Sequence, residues 1–198
     1  MDERPTIETA SGPVTLIRDA AIADIEAYEI DCGLSSIMRS ATVRRRVLRE
    51  LAADPHARLT LAVAAGAVVG HLGIGPSFGR WRVLPRVREI AFEVARGWRQ
   101  SGLVSAMIRR AMADPAIEDE IIVGFLWPAA WDLAELAGSR IAYRDMLMRI
   151  AARVGFQAYG TDEPELLYQQ GASLVARIGA REHTHRYNSL ARAKPTMS

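Results

Sequence analysis

A turn rich in arginine and glycine interrupts an apolar series in the middle of the chain. The strand-like run before it ends at Val94, the turn spans residues 96–102, and apolar residues at helical spacing follow from Leu103. The first N–H groups of a helix have no partner within the helix and lie at the positive end of its dipole. A strand, a turn ending in Gly102 and a helix start therefore predict a phosphate site. Arg99 adds a charge that can pair with phosphate oxygens.

Two carboxylates lie on the strand that leads into this turn. Glu89 and Glu93 are an even number of residues apart, so both point to the same side of the sheet if the strand is regular. A carboxylate at such a place can accept a proton as a general base, directly or through water. The alternative is that each carboxylate simply pairs with a nearby arginine.

The composition indicates a folded protein without a membrane segment. The 198 residues are 49% hydrophobic, which suits one domain with its own core and excludes a disordered chain. No apolar run is long enough to span a bilayer, and the polar N-terminus has no apolar secretion signal. Cys32 is the only cysteine, so no internal disulfide can form. We therefore expect a cytoplasmic protein with no membrane partner.

The basic residues do not predict a nucleic-acid partner. The chain carries 25 lysines and arginines against 23 acids, a formal net charge of +2. Nucleic-acid binding requires a basic face with interleaved aromatic residues. We interpret the run Arg44–Arg46 as the solvated face of a helix. The arginines between residues 80 and 88 belong either to a solvated loop or to a segment nearer a ligand. The histidines lack the spacing of metal ligands, so we expect no metal site.

Strand and helix patterns are mixed along the chain. β-rich runs predict strands over residues 13–18, 59–63, 67–74, 89–94, 120–127, 156–159 and 174–178. Helical spacing and capping residues predict helices over residues 20–30, 42–53, 103–112 and 139–153. This mixture favours an α/β or α+β fold with helices on both faces of a sheet. We expect a single domain over residues 1–198, with residues 1–12 and 183–198 as mobile or peripheral tails.

With this order of elements, the chain resembles the GCN5-related N-acetyltransferases (GNAT). Their Arg/Gln-x-x-Gly-x-Gly/Ala signature reads Arg99-Gln100-Ser101-Gly102-Leu103-Val104 here. Val104 departs from the small residue that the family prefers, and Gln100 departs from a frequent glycine. The resemblance implies a central mixed, mostly antiparallel sheet of six to seven strands, and acetyl-CoA as the cofactor.

The chain is more closely similar to the acetoin-utilisation acetyltransferases, the AcuA family. The matching stretches are Phe92–Ala95, Trp131–Leu133, Tyr143-Arg144, Thr161–Glu165, Ala176–Gly179 and His185–Tyr187. This resemblance implies a protein lysine acetyltransferase. Its expected target is the AMP-forming acetyl-CoA synthetase, which acetylation of the active-site lysine inactivates. The implied partners are therefore acetyl-CoA and a protein substrate.

The resemblance also implies which residues hold coenzyme A. The pantetheine arm would pair with the backbone of the strand near Phe92 and Val94, and the turn amides would hold the pyrophosphate. The expected cofactor-binding residues are Phe92, Val94, Arg99, Gln100, Ser101, Gly102, Leu103, Val104 and Ser105.

Catalytic candidates follow from the same resemblance. Glu93 matches the close family, and Glu89 lies one position from where some relatives carry their base. Many relatives place an acidic tyrosine where this chain has Ala151, which leaves Tyr143 as the candidate acid, with core packing as its alternative. Asp162 is a further candidate base.

An acidic and aromatic set is expected to bind the acceptor. The substrate-binding candidates are Trp131, Asp132, Glu163 and Glu165. The alternative is a solvated acidic turn beside a packing tryptophan. Two other functions remain open: acetylation of a small amine of the polyamine or aminoglycoside type, or a non-catalytic acyl-CoA-sensing module, which Val104 and the missing tyrosine would suit.

Overall fold

The computed structural model describes residues 4–34, 40–77, 79–133 and 138–182, without the side chains of Arg80 and Glu165. The chain forms two compact units. Unit 1 comprises Met1–Gly75 and Ile90–Asp114, and unit 2 comprises Pro76–Glu89 and Pro115–Ser198. The boundary between residues 89 and 90 falls inside one continuous strand, which contributes to both units.

Unit 1 contains five strands of its own, three helices and the second half of the shared strand within its described part. The elements are β1 (Thr6–Thr9), β2 (Gly12–Ile17), α1 (Ile22–Glu26), β3 (Glu29–Ile30), α2 (Ala41–Ala53), β4 (Arg58–Ala64), β5 (Ala67–Pro76), the shared β6 (Val87–Val94) and α3 (Leu103–Met112). The strands are ordered β1-β2-β4-β5-β6, and β3 pairs with β5 in parallel.

Local signals account for the best-predicted parts of unit 1. Ala65 and Gly66 both have positive φ, at 49° and 79°, which suits a two-residue hairpin turn between β4 and β5. Helix α2 begins after Ser40, whose Oγ accepts a hydrogen bond from the Val43 amide at 3.4 Å, and it ends at Asp54. The predicted hairpin and the predicted ends of this helix are confirmed.

Unit 2 is built on the first half of β6. Its other elements are β7 (Ile121–Leu126), α4 (Arg140–Ala152), β8 (Gln157–Tyr159), α5 (Pro164–Leu167) and β9 (Ser173–Ile178). The strand order is β6-β7-β9-β8, with β6 and β7 parallel and the other two pairs antiparallel. One hydrophobic core contains Trp81, Val87, Ile121, Val123, Leu166, Leu174 and Ala176.

The predicted mixed, mostly antiparallel α/β architecture is confirmed, with differences in detail. The described residues form nine strands rather than six to seven, because β1 and β3 are too short for a pattern to reveal them. Strand β1 lies within the stretch expected as an N-terminal tail, and pairs with β2 at the edge of the sheet. Residues 20–30 give the short helix α1 and then β3. The other expected tail, residues 183–198, lies outside the described residues.

Within the described ranges, no helix combines the length and the apolar character that crossing a membrane requires.

Candidate active site

The turn between β6 and α3 is held by several parts of unit 1. Its first residues, Arg96–Trp98, form one 3₁₀ turn. The Arg96 amide donates to the carbonyl of Gly33 at 3.2 Å, and the Ser11 hydroxyl donates to the carbonyl of Gly97 at 3.1 Å. Within the turn, the Ser101 hydroxyl donates to the carbonyl of Trp98 at 2.5 Å. The turn is therefore fixed from both sides before α3 begins.

Two residues of the turn adopt left-handed backbone conformations. Gly102, the N-cap of α3, has φ of 85°, and Gln100 has φ of 59°. Glycine reaches this region without the Cβ clash that costs other residues roughly 1 kcal/mol. The family's frequent glycine at the position of Gln100 thus has a backbone reason, and this chain carries a small strain there instead.

Helix α3 presents free amides at its start. Its first internal hydrogen bond runs from the Ala106 amide to the carbonyl of Gly102 at 3.1 Å. The amides of Leu103, Val104 and Ser105 come before that bond, so α-helical geometry gives them no partner within the helix. A Cβ built at Gly102 would meet no atom within 4 Å. These amides form the kind of concave N–H group that binds phosphate oxygens.

Packing fixes the direction of α3. The helix buries Leu103, Met107, Ile108 and Ala111. Met107 lies directly on β5, where a Cβ built at Gly70 would be 3.3 Å from the Met107 sulfur. The helix start is therefore anchored to the sheet rather than free to move.

Arg99 makes a contact that the sequence did not predict. Its Nε donates a hydrogen bond to the carbonyl of Val94 at 3.2 Å. This bond ties the end of β6 to the turn and uses one acceptor position on the Val94 carbonyl, which was expected to face the pantetheine arm. Phe92, the other expected strand contact, is half-buried.

Glu93 lies in a buried ion pair. Its Oε2 is 3.1 Å from Nη2 of Arg44 on α2, and the two residues are 4% and 1% exposed. The same oxygen is 3.7 Å from Nε2 of His71 on β5. Three elements of unit 1 thus bring one carboxylate, one guanidinium and one imidazole together away from water. Glu93 fits the alternative reading of a carboxylate paired with arginine.

Arg44 was missed by sequence reasoning. The interpretation of Arg44–Arg46 as a solvated helix face is wrong for Arg44, although Arg46 is exposed and pairs with Glu50. Arg44 is one helical turn before the buried Leu48, on the apolar face of α2. That spacing was the available signal, because an arginine on an apolar face requires a buried acidic partner.

Glu89, at the unit 2 end of β6, has a different environment. The structure gives this carboxylate no hydrogen bond or ion pair with any other described residue. It is half-buried, and loss of solvent raises the pKa of Glu89 from the ordinary 4.5 to about 7. A carboxylate with this pKa exchanges protons near neutral pH.

Two predicted site residues of unit 2 stack on each other. The rings of Trp131 and Tyr143 have centroids 5.1 Å apart and an interplanar angle of 12°. Trp131 also lies against the chain after α5, where a Cβ built at Gly171 would be 3.5 Å from Cζ3 of Trp131. The structure therefore brings the candidate acid and one substrate-binding candidate together in a fixed aromatic pair.

The predicted acidic turn includes the start of α5. The Thr161 hydroxyl accepts from the Glu163 amide at 3.1 Å, and the Glu163 carbonyl accepts from the amides of Leu166 and Leu167. Asp162 and Glu163 are half-buried, as is Asp132, which follows the 3₁₀ turn Pro128–Ala130. Glu165 lies in α5, with its side chain outside the described part. The acids thus belong to an ordered segment rather than to a loose turn.

Among the residues that the structure describes, no group of three or more His, Cys, Asp or Glu side chains could hold a metal ion.

Comparison with known proteins gives relatives along most of the chain. No protein-family model matches. The chain is 25% identical over 178 residues to the acetoin utilization protein AcuA of Bacillus subtilis, across 87% of this chain and 84% of that protein. A crystal structure of an acetoin utilization protein from Exiguobacterium sibiricum matches with a TM-score of 0.89 at 24% identity, across 96% of this chain and 92% of that one.

A more distant structure carries a ligand. The phosphinothricin acetyltransferase of Sinorhizobium meliloti, a GNAT superfamily member in complex with AcCoA, matches with a TM-score of 0.57 at 15% identity. That match covers 93% of this chain and 94% of the other.

These matches show the fold: the chain has the fold of the GCN5-related N-acetyltransferases. Its sequence is similar to the AcuA proteins, so the resemblance expected from the motifs is confirmed.

Proposed function

We propose that the chain is an acetyl-CoA-dependent N-acetyltransferase that acts on a protein lysine. The observation that carries the proposal is the β6–turn–α3 arrangement, with left-handed Gly102 followed by three helix-start amides in a fixed turn. The fold and the similarity to AcuA proteins support the same reaction. The AMP-forming acetyl-CoA synthetase is the target that the AcuA resemblance favours.

The reaction needs a neutral amine. A lysine with a pKa of about 10.4 is neutral in only about one molecule in a thousand at pH 7.4. Once a base takes its proton, the amine nitrogen attacks the thioester carbonyl, the new C–N bond forms and the C–S bond breaks. The electron pair of the C–S bond leaves on sulfur, and the resulting thiolate of coenzyme A takes up a proton.

Glu89 is the base that the structure supports best. General bases work best with a pKa near the operating pH, and burial brings the pKa of Glu89 to about 7. Glu93 and Asp162 are the other bases expected from the sequence. Protonation of Glu93 would remove the carboxylate charge that lies 3.1 Å from the buried guanidinium of Arg44, which is costly. We therefore assign Glu93 to holding β6 against α2.

Tyr143 is proposed as the acid that protonates the thiolate. Its stacking on Trp131 fixes the ring, which suits either proton donation or packing. A thiol has an ordinary pKa of about 8.5, so a thiolate can also leave without a dedicated acid. Tyr143→Phe separates the two roles, because it removes the hydroxyl group that would donate the proton and retains the ring that stacks on Trp131. Unchanged turnover in this variant would remove the acid assignment.

The phosphate site can be tested with two glycines of similar geometry. Gly102 and Gly66 both have positive φ, 85° and 79°, and a Cβ at either meets no atom within 4 Å. Gly102→Asp places a negative charge beside the helix-start amides, so we expect acetyl-CoA affinity measured by calorimetry to fall at least about a hundredfold. Gly66→Asp in the β4–β5 hairpin is the matched control and retains affinity. Equal losses in both variants would refute the site.

The protein acceptor is tested by incubating the chain with acetyl-CoA and purified AMP-forming acetyl-CoA synthetase. We expect one acetyl group on a synthetase lysine by mass spectrometry, with a parallel loss of synthetase activity. Acetylation of spermidine or an aminoglycoside without modification of the synthetase would favour a small-amine enzyme. Acetyl-CoA binding without turnover of any amine would favour an acyl-CoA-sensing module.

A further inference from the structure

The end of α5 carries two large apolar side chains in solvent. Leu167 is 59% exposed and Tyr168 is 87% exposed, whereas the preceding Leu166 is 5% exposed and belongs to the core of unit 2. Neighbouring residues of one short helix thus have opposite environments. Leu166 anchors the segment, and Leu167 and Tyr168 project apolar area that the described part of the chain leaves open.

This segment is also acidic. Residues 161–172 contain three acids, Asp162, Glu163 and Glu165, and no basic residue. Acidic surfaces favour basic partners and raise the rate at which such partners are encountered. Exposed apolar side chains beside several acidic residues are typical of a surface that binds a protein rather than a small amine. A small amine has no apolar area with which to cover the apolar side chains.

The segment is held in place before any partner arrives. The Glu163 carbonyl accepts from the amides of Leu166 and Leu167 at 3.0 and 3.1 Å. Three residues after Tyr168, Gly171 packs on Trp131, which stacks on Tyr143. The end of α5 is therefore continuous with the aromatic pair, and a preformed surface loses little conformational entropy on binding.

We propose that Leu167 and Tyr168 form a docking surface for the folded protein that carries the acceptor lysine. We call these two residues the α5 surface. The partner presents basic residues beside an apolar side chain, so that the net negative charge of residues 161–165 attracts it and its apolar group covers Tyr168. The inference rests on the proposed function and extends it, because it assigns recognition of the protein to residues that take no part in the acetyl transfer.

Two acceptors of different size test the α5 surface. The protein probe is purified AMP-forming acetyl-CoA synthetase, and the small probe is Nα-acetyl-lysine amide, which presents the same amine without a protein surface. The variants are Leu167→Ala and Tyr168→Ala. Tyr168→Phe retains the ring and is the matched control, and Val83→Ala removes another exposed apolar side chain, 81% exposed, from the separate segment Gly79–Val83.

We expect each alanine variant at positions 167 and 168 to raise KM for the synthetase about tenfold, as interface anchors do. The kcat for the synthetase, the turnover of the small probe and the affinity for acetyl-CoA stay at the wild-type values. Tyr168→Phe and Val83→Ala behave like the wild type on both probes. This split excludes a general loss of folding, which would lower activity on both acceptors together.

Four results would overturn the α5 surface. Equal acetylation of the synthetase by the wild type and the alanine variants refutes docking while leaving the proposed function intact. Parallel losses on both probes assign these side chains to stability. Concentration-dependent dimerisation of the wild type that Tyr168→Ala abolishes, seen by sedimentation, makes a second copy of the chain the occupant. Failure of the wild type to acetylate the synthetase refutes the proposed protein substrate itself, and the α5 surface with it.

Discussion

Two glutamates four residues apart on β6 have opposite electrostatic environments. Glu93 is almost fully buried and pairs with Arg44, with His71 nearby. Glu89 is half-buried and has no charged partner among the described residues, and burial alone raises its pKa to about 7. Both side chains have the same chemistry, so the difference comes entirely from what surrounds them.

The comparison supports the proposal that Glu93 is a structural carboxylate and Glu89 the reactive one. A buried charge that has a buried partner stabilises one arrangement of the chain, and removing either member is costly. A buried carboxylate without a partner holds its proton more tightly and can exchange it near neutral pH. Pairs of acids whose environments divide in this way often have different roles in one active site.

The largest expected effect comes from breaking the pair. Arg44→Met removes the guanidinium that lies 3.1 Å from the buried Glu93 carboxylate, so we expect the free energy of unfolding to fall by about 4 kcal/mol in denaturant titrations. The double variant Arg44→Met/Glu93→Gln should recover a large part of that loss. Asp114→Asn is the matched control in unit 1, because the Arg58–Asp114 pair is partly exposed and should contribute at most about 1 kcal/mol. Equal losses in the two pairs would contradict the account of Glu93.

The next effect is on catalysis. Glu89→Gln removes the proposed base while retaining shape, so we expect kcat to fall about a hundredfold with little change in acetyl-CoA affinity. Glu93→Gln, corrected for its folded fraction, should retain kcat within a few-fold. A hundredfold loss in Glu93→Gln with normal activity in Glu89→Gln would reverse the two assignments.

The smallest effect is a gain in stability. The folded pKa of Glu89 lies above the unfolded value, so its contribution favours folding below about pH 4.5 and is lost as pH rises through about 7. Above pH 7 the ionised, half-buried carboxylate lowers the free energy of unfolding, and Glu89→Gln removes this effect. We expect the variant to be about 1 kcal/mol more stable than the wild type at pH 8, after allowance for partial exposure, and no more stable at pH 4. An equal difference in stability between variant and wild type at pH 4 and pH 8 would exclude ionisation of Glu89 as the cause.

Features with local signals were predictable from the sequence. The Ala65-Gly66 hairpin, the Ser40 cap of α2 and the turn before α3 each depend on residues a few positions apart, and the structure has all three. Their conformations follow from backbone preferences that act within one turn of chain. The order of strands and helices was therefore enough to predict the fold class.

Features that depend on distant contacts were not predictable. Arg44 and Glu93 are 49 residues apart, so no spacing rule connects them before the chain folds. The pKa of Glu89 depends on how much of its carboxylate is buried in the fold, which a strand pattern does not specify. Strand β3 has two residues and is defined only by its pairing with β5. The acids of residues 161–165 are likewise visible in the sequence, but the exposure of the apolar side chains at the end of α5 is not.

The pH dependence of acetyl transfer tests the central claim most directly. With saturating acetyl-CoA and acceptor, the wild-type kcat should rise with pH through an apparent pKa near 7, because Glu89 must be ionised to accept the amine proton. In Glu89→Gln that limb should disappear, leaving a slow rate that climbs only with ionisation of the lysine itself. A wild-type limb near pH 7 that persists unchanged in Glu89→Gln, and vanishes in Glu93→Gln, would contradict the account.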